Sequence, residues 1–259
     1  MMQFPLRLTA YLAMARFAPK AALSRRAGPI QFVDAAEILH HDSSHPVSHE
    51  RIGEINSERS PVVWIGGSEP LHHPGISHLV RAITQTGHFV FLETDGTLLR
   101  RRIHEFQPVP RLFLSVRLEP GVQRDVSEHL GPGAFELAAE GMRAARHSGF
   151  LFCVHARIHA ETELGAMAGL IQYSLSADVD GIVVTAANGA SNSADVGAEA
   201  VRQKAAEVRK LIGSVWWESF SRMVGPALNN QPTAARNTEE SGDRLERESR
   251  ADEAGVRIA

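Results

Sequence analysis

Between residues 30 and 213 the chain alternates two kinds of apolar pattern. Short apolar runs at Ile30–Val33, Val62–Ile65, His88–Thr94, Arg111–Leu118, Phe150–Ile158 and Gly181–Thr185 read as strands. Between them lie amphipathic helix patterns. One covers about 74–86, with Ile76, Leu79, Val80 and Ile83 on one face. Others cover about 134–148 (Phe135, Ala138, Met142, Ala145), 161–174 (Leu164, Met167, Leu170, Ile171) and 195–212 (Val201, Ala205, Val208, Ile212). A last apolar stretch, 214–225, carries Trp216, Trp217, Phe220 and Met223 and predicts a helix that caps the core. Strand–helix alternation means parallel strands joined by helical crossovers. Six units fit an open (β/α)6 barrel better than a closed eight-unit one, although a flat doubly wound sheet satisfies the same alternation.

Side-chain parity within the strands places polar residues inside. Successive strand residues face opposite sides. In 111–118 the residues Leu112, Leu114, Val116 and Leu118 share one side, and Phe113, Ser115 and Arg117 the other. In 150–158 Phe152, Val154 and Ala156 oppose Cys153, His155 and Arg157. The side toward the helices must be apolar, so the polar sets point inward, joined by Glu93 and Thr185. Charges are almost never buried without partners. Glu93, Arg117, His155 and Arg157 therefore mark either a small-molecule pocket near the strand C-termini or a buried ion pair; the two readings are compatible.

Two strand ends carry motifs. The second strand runs into Gly66-Gly67-Ser68-Glu69-Pro70-Leu71, and the third into Thr94-Asp95-Gly96. Together they resemble the glycine-glycine-glutamate-proline and threonine-asparagine-glycine turns of the radical S-adenosylmethionine (SAM) superfamily. Ser115 and the run Val179-Asp180-Gly181-Ile182 add to the likeness, which covers roughly residues 30–190. The look is nearest to the branch that transfers adenosyl groups to hopanoid lipids. The resemblance implies an open (β/α)6 partial TIM barrel of the radical SAM type, with SAM as cofactor. It places Gly66, Gly67, Ser68, Glu69, Pro70, Thr94, Asp95 and Ser115 at the cofactor, with Glu69 receiving the methionyl ammonium. Ser68 stands where the family has its second glycine, unless Gly66-Gly67 is the true pair, and Asp95 where asparagine is usual.

The same resemblance implies a 4Fe–4S cluster held by three cysteines in a CxxxCxxC loop after the first strand. The chain has one cysteine, Cys153, far downstream, and residues 33–45 contain none. The cluster is thus expected for the family and unsupported by this sequence, which reads as a degenerate, pseudoenzyme-like barrel that binds SAM or a related ligand. A radical enzyme whose cluster is supplied otherwise is one alternative. A metal enzyme using His40, His41, Asp42 and His72 is another, since 13 histidines are present and several crowd the expected cluster loop. Cys153 reads as a buried structural thiol, because its neighbour His155 lacks a third group to orient it.

Composition narrows the remaining classes. A net charge of −3 gives no pull toward nucleic acid. A single cysteine excludes an intramolecular disulfide and fits a reducing cytoplasm. No apolar run reaches the roughly 18 residues of a membrane span. Residues 1–29 hold Arg7, Arg16, Lys20, Arg25 and Arg26 among apolar residues and no acid. They read as a helix packed on the domain or as a basic amphipathic helix in peripheral contact with a membrane. Residues 30–225 form the barrel domain, and the polar stretch 226–259 reads as a disordered tail. An active radical SAM relative is the protein partner such a barrel would have.

Overall fold

In a computed structural model the described residues are 4–6, 8–10, 28, 30–35, 49–58, 60–120, 133–187 and 196–229. They form one sheet of six parallel strands in sequence order: β1 (Ile30–Asp34), β2 (Val62–Gly66), β3 (Phe89–Thr94), β4 (Leu112–Arg117), β5 (Leu151–Ile158) and β6 (Gly181–Ala186). Neighbours pair in parallel from β1 to β6, and β1 does not pair with β6. The sheet curls into an open half-barrel, the (β/α)6 partial TIM barrel expected from the alternation; the flat sheet is excluded.

The crossovers are α1 (His49–Ser57), α2 (Ile76–Gln85), the single turn α3 (Leu99–Arg102), α4 (Ala134–His147), α5 (Leu164–Ser176) and α6 (Val196–Leu211). Each longer helix buries the stripe that its spacing predicts. In α2, Ile76, Leu79, Val80 and Ile83 are buried. In α5, Met167, Leu170 and Ile171 are buried, whereas Leu164, the first helical residue, is exposed. Helix α4 packs closely on the turn after β3. A Cβ on Gly141 would meet the Gly96 carbonyl oxygen at 2.7 Å, so the backbones touch there.

The inner face of the barrel is layered by register. Trp64, Phe91 and Phe113 are neighbours across β2, β3 and β4 and stack as a ladder. Their centroids lie 5.1 Å and 4.9 Å apart and the rings are nearly parallel. The next layer toward the strand C-termini aligns Glu93, Ser115, Cys153 and Gly181. Above it come Arg117, His155 and Val183, then Arg157 and Thr185. The inner face is thus aromatic at the strand N-termini and polar at the C-termini, which separates a packed floor from a polar end.

The last helix, α7 (Val215–Asn229), packs on β6 and β1, across the opening that an eighth-strand barrel would close. Phe220 stacks on Phe91 at 4.9 Å, and Trp217 meets Phe113 edge-on at 6.0 Å. Ser221 Oγ accepts the Val184 N–H at 3.1 Å, which satisfies a donor on the free edge of β6. The helix expected at 214–225 is present and runs on through Pro226 to Asn229, because Val224 and Leu228, one turn apart, are both buried. At the N-terminus Leu8 is buried and Phe4 meets Trp217 edge-on at 5.0 Å, so these residues dock on α7. Most of segment 1–29 and residues 230–259 lie outside the described residues. No helix among the described residues is long and apolar enough to cross a membrane.

Candidate functional site

The two motif turns meet at the C-terminal end of β2 and β3, and Glu69 joins them. Its Oε1 accepts the Thr94 hydroxyl at 2.8 Å and the Leu71 N–H at 3.0 Å, and its Oε2 accepts the Asp95 N–H at 2.8 Å. Thr94 Oγ1 in turn accepts the Gly96 N–H at 3.0 Å. Asp95 Oδ1 accepts both the N–H and the hydroxyl of Thr97, at 2.8 and 2.7 Å. The residues from both motifs therefore build one hydrogen-bonded corner. Burial, then the nearby Asp95 carboxylate, push the Glu69 carboxyl up to about 7, and the three donors only partly offset them. An ionised carboxylate has about four lone-pair sites, so Glu69 has room for roughly one further donor.

The glycine pair shapes the same corner. Gly67 has φ +88°, a left-handed conformation that favours glycine. A Cβ there would lie 2.5 Å from Asp34 Oδ1 at the end of β1. A Cβ on Gly66 would meet the Phe32 ring at 3.2 Å. The turn is thus bare backbone held against β1, with Ser68 exposed beside it. Arg102 clamps its far end: it donates to the carbonyls of Leu71 and His73, the latter at 2.8 Å, and pairs with Glu105. Arg102 was not legible in advance, since it sits in an arginine run whose partners are distant backbone carbonyls.

Below the corner lies a buried polar cluster. Glu93 Oε2 accepts the Trp64 indole N–H at 2.6 Å and bonds His155 Nδ1 at 3.1 Å. Glu93 Oε1 accepts from Arg117 at 3.2 Å. His155 Nε2 meets Thr185 Oγ1 at 2.9 Å. Burial alone would push the Glu93 carboxyl up, but His155, Arg117 and Arg157 together outweigh it and hold the carboxyl at about 2. An ionised carboxylate only accepts, so His155 Nδ1 carries the proton and donates. Glu93, Arg117, His155 and Thr185 meet on the inner face, as strand alternation requires, and Trp64, whose inward position follows from the same alternation, joins them. Of the two readings, the ion pair is present; Arg157 acts on Glu93 through its charge.

Ser115 lies between Glu93 and Cys153 in register, fully buried, with its hydroxyl beside the Cys153 thiol, whose titration it lowers. Contrary to expectation, His155 does have an orienting group, Glu93, but its Nε2 is taken by Thr185, and burial pushes the Cys153 thiol up to about 12, so the thiol stays protonated. Among the described residues no three His, Cys, Asp or Glu side chains group as metal ligands. His72 is exposed, while His40, His41 and Asp42 lie outside the described residues, as do the loops after β1, β4 and β6. A cavity of about 790 Å³ opens at the opposite end of the strands.

No family model matches the chain. Over 131 residues it is 30% identical to the AdoMet-dependent heme synthase of Methanosarcina barkeri (strain Fusaro / DSM 804), a stretch that is 49% of this chain and 35% of that protein. This chain is similar to that protein over about half of its own length. It spans about a third of the length of this relative. Among solved structures, TYW1 with a lysine-pyruvate adduct bound superposes at TM-score 0.45 and 13% identity, over 64% of this chain and 53% of that one. Streptococcus suis SuiB bound to S-adenosylmethionine superposes at TM-score 0.49 and 11% identity, over 66% and 44%.

Proposed function

We propose that this chain is a radical SAM core domain and binds SAM, or a related nucleoside bearing an amino-acid head, at the corner of Gly66–Pro70 and Thr94–Gly96, without a 4Fe–4S cluster. The observation that carries this reading is the Glu69 junction, which keeps the two motif turns assembled as one corner. Glycine at 66 and 67 lets the turn pack directly on Asp34 and Phe32 of β1, which fixes the corner's backbone. Glu69 has capacity for an ammonium donor. This donor set fits an amino-acid head. It does not fit the cluster: a four-iron cluster with one open iron needs three thiolates, and the chain's single cysteine is buried and protonated. No reductive cleavage of SAM is therefore assigned to this chain. The name of the heme synthase relative, which is AdoMet-dependent, supports the choice of ligand. The domain then acts as a ligand-binding relative of active enzymes, scaffolding or regulating one of them.

The reading has a pH signature. An ammonium beside Glu69 favours its ionised form, so binding lowers a carboxyl that stands at about 7 in the free protein. Below that pH, binding must expel a proton. SAM is therefore expected to raise the melting temperature more as pH rises from the usual carboxylate range through about 7, and then to level off. The Glu69→Gln variant is expected to bind more weakly and to lose this dependence. Thermal shift at several pH values checks it; a shift of equal size across that range would contradict the role of Glu69.

A further inference from the structure

The cavity of about 790 Å³ lies at the strand N-termini, far from the motif corner. Its walls include Phe4, Phe89, Val109, Phe113 and Leu151, so they are mainly apolar and aromatic. Its volume lies within the range of small-molecule sites, roughly 300–1,000 Å³. One wall residue breaks the pattern. Arg111, just before β4, is half-buried, and its guanidinium has no ion pair or hydrogen bond among the described residues. A guanidinium set against apolar walls leaves five donors poorly served and attracts a planar anion that can take two of them at once.

We infer that this cavity is a second binding site, for a long-chain carboxylic acid. The apolar walls take the chain, and Arg111 takes the carboxylate. A neutral apolar molecule would leave the guanidinium unpaired. A small polar anion would leave the aromatic walls uncovered and its own polar atoms without partners. The site is separate from the SAM corner, since the packed ladder of Trp64, Phe91 and Phe113, with Phe220 on it, fills the barrel between the two ends.

Titration of palmitate into the full chain, below the concentration at which it aggregates, tests this. Saturable one-to-one binding is expected. Arg111→Gln should weaken it about tenfold, the worth of one charge-assisted contact. Val109→Trp, which fills the cavity with a larger side chain, should abolish binding while leaving SAM binding unchanged. Palmitamide, which has a neutral head, should bind about as weakly to the wild type as palmitate does to Arg111→Gln. Absence of saturable binding, or equal palmitate affinity in the Arg111→Gln and wild-type proteins, would overturn the assignment. So would displacement of palmitate by SAM. A concentration-dependent dimer that Val109→Trp dissolves would overturn it too, in favour of a second copy of the chain seated in the cavity.

Discussion

Replacing Gly181 by alanine is expected to lower stability by about 3 kcal/mol, through a single added methyl group. Gly181 opens β6 on the inner face, and a Cβ there would fall 1.9 Å from Trp217 Cε2 and 2.2 Å from Cζ2. The indole is rigid and fully buried, held edge-on by Phe4, Phe113 and Phe220. It cannot swing aside, so the methyl must move α7 itself. That movement puts at risk the Ser221–Val184 bond and the packing of α7 on β6 and β1. For a domain of this size the expected fall in melting temperature is about 6–12 °C. Trp217→Ala alone should cost about 3–5 kcal/mol by leaving a cavity. The double variant should be no less stable than Trp217→Ala, since the methyl then has room. Additive losses, or an unchanged melting temperature in Gly181→Ala, would contradict the close contact.

The second large effect is expected from Glu93→Gln. This carboxylate is the shared acceptor of Trp64, His155 and Arg117 and is almost wholly buried. Neutralising it leaves Arg117, which is partly solvated, without its counter-charge, so the cost is expected at the lower end of the range for a broken buried pair, about 3 kcal/mol. The pH dependence gives an independent reading. The Glu93 carboxyl is lowered in the folded state, to about 2 from an ordinary 4.5. Its stabilising contribution is therefore complete above about 4.5 and is lost as pH falls toward about 2. That contribution is on the order of 3 kcal/mol, from the size of the shift. Chemical denaturation across this range should show an acid limb in the wild type that is flattened in Glu93→Gln. An identical acid limb in both proteins would mean that Glu93 is not the group responsible.

Much of this architecture was legible because burial imposes simple periods. All six strands fall within a residue or so of the apolar runs, and the inner polar layers follow from alternation at Ser115, Arg117, Cys153 and His155. The second turn after β1 was less visible. Helix α1 (His49–Ser57) carries only Ile52 and Ile55 as apolar anchors, too few to show a stripe. The path of α7 was invisible for a different reason. Its tryptophans announce burial, yet Trp216 is exposed and only Trp217 is buried, and the residue that makes room for Trp217 is Gly181, a long way back along the chain and ordinary in a strand. The motif residues were found as a group, yet the carboxylate of Glu69 proved to be engaged by Leu71, Thr94 and Asp95. Such junctions depend on which strand ends become neighbours, and that is a property of the folded sheet rather than of local pattern. Arg102 and Trp64 belong to the same class: each acts through partners distant in sequence.

The central claim is that a corner built for an amino-acid head survives in a chain whose own cysteine cannot hold the family's cluster. Isothermal titration of SAM into anaerobically purified protein, with iron and zinc assayed on the same sample, tests it most directly. The expected result is saturable SAM binding, weakened by Glu69→Ala, with no stoichiometric iron. Stoichiometric iron in a protein that cleaves SAM on reduction would contradict the absence of a cluster, and no SAM binding at millimolar concentration would contradict the corner as its site.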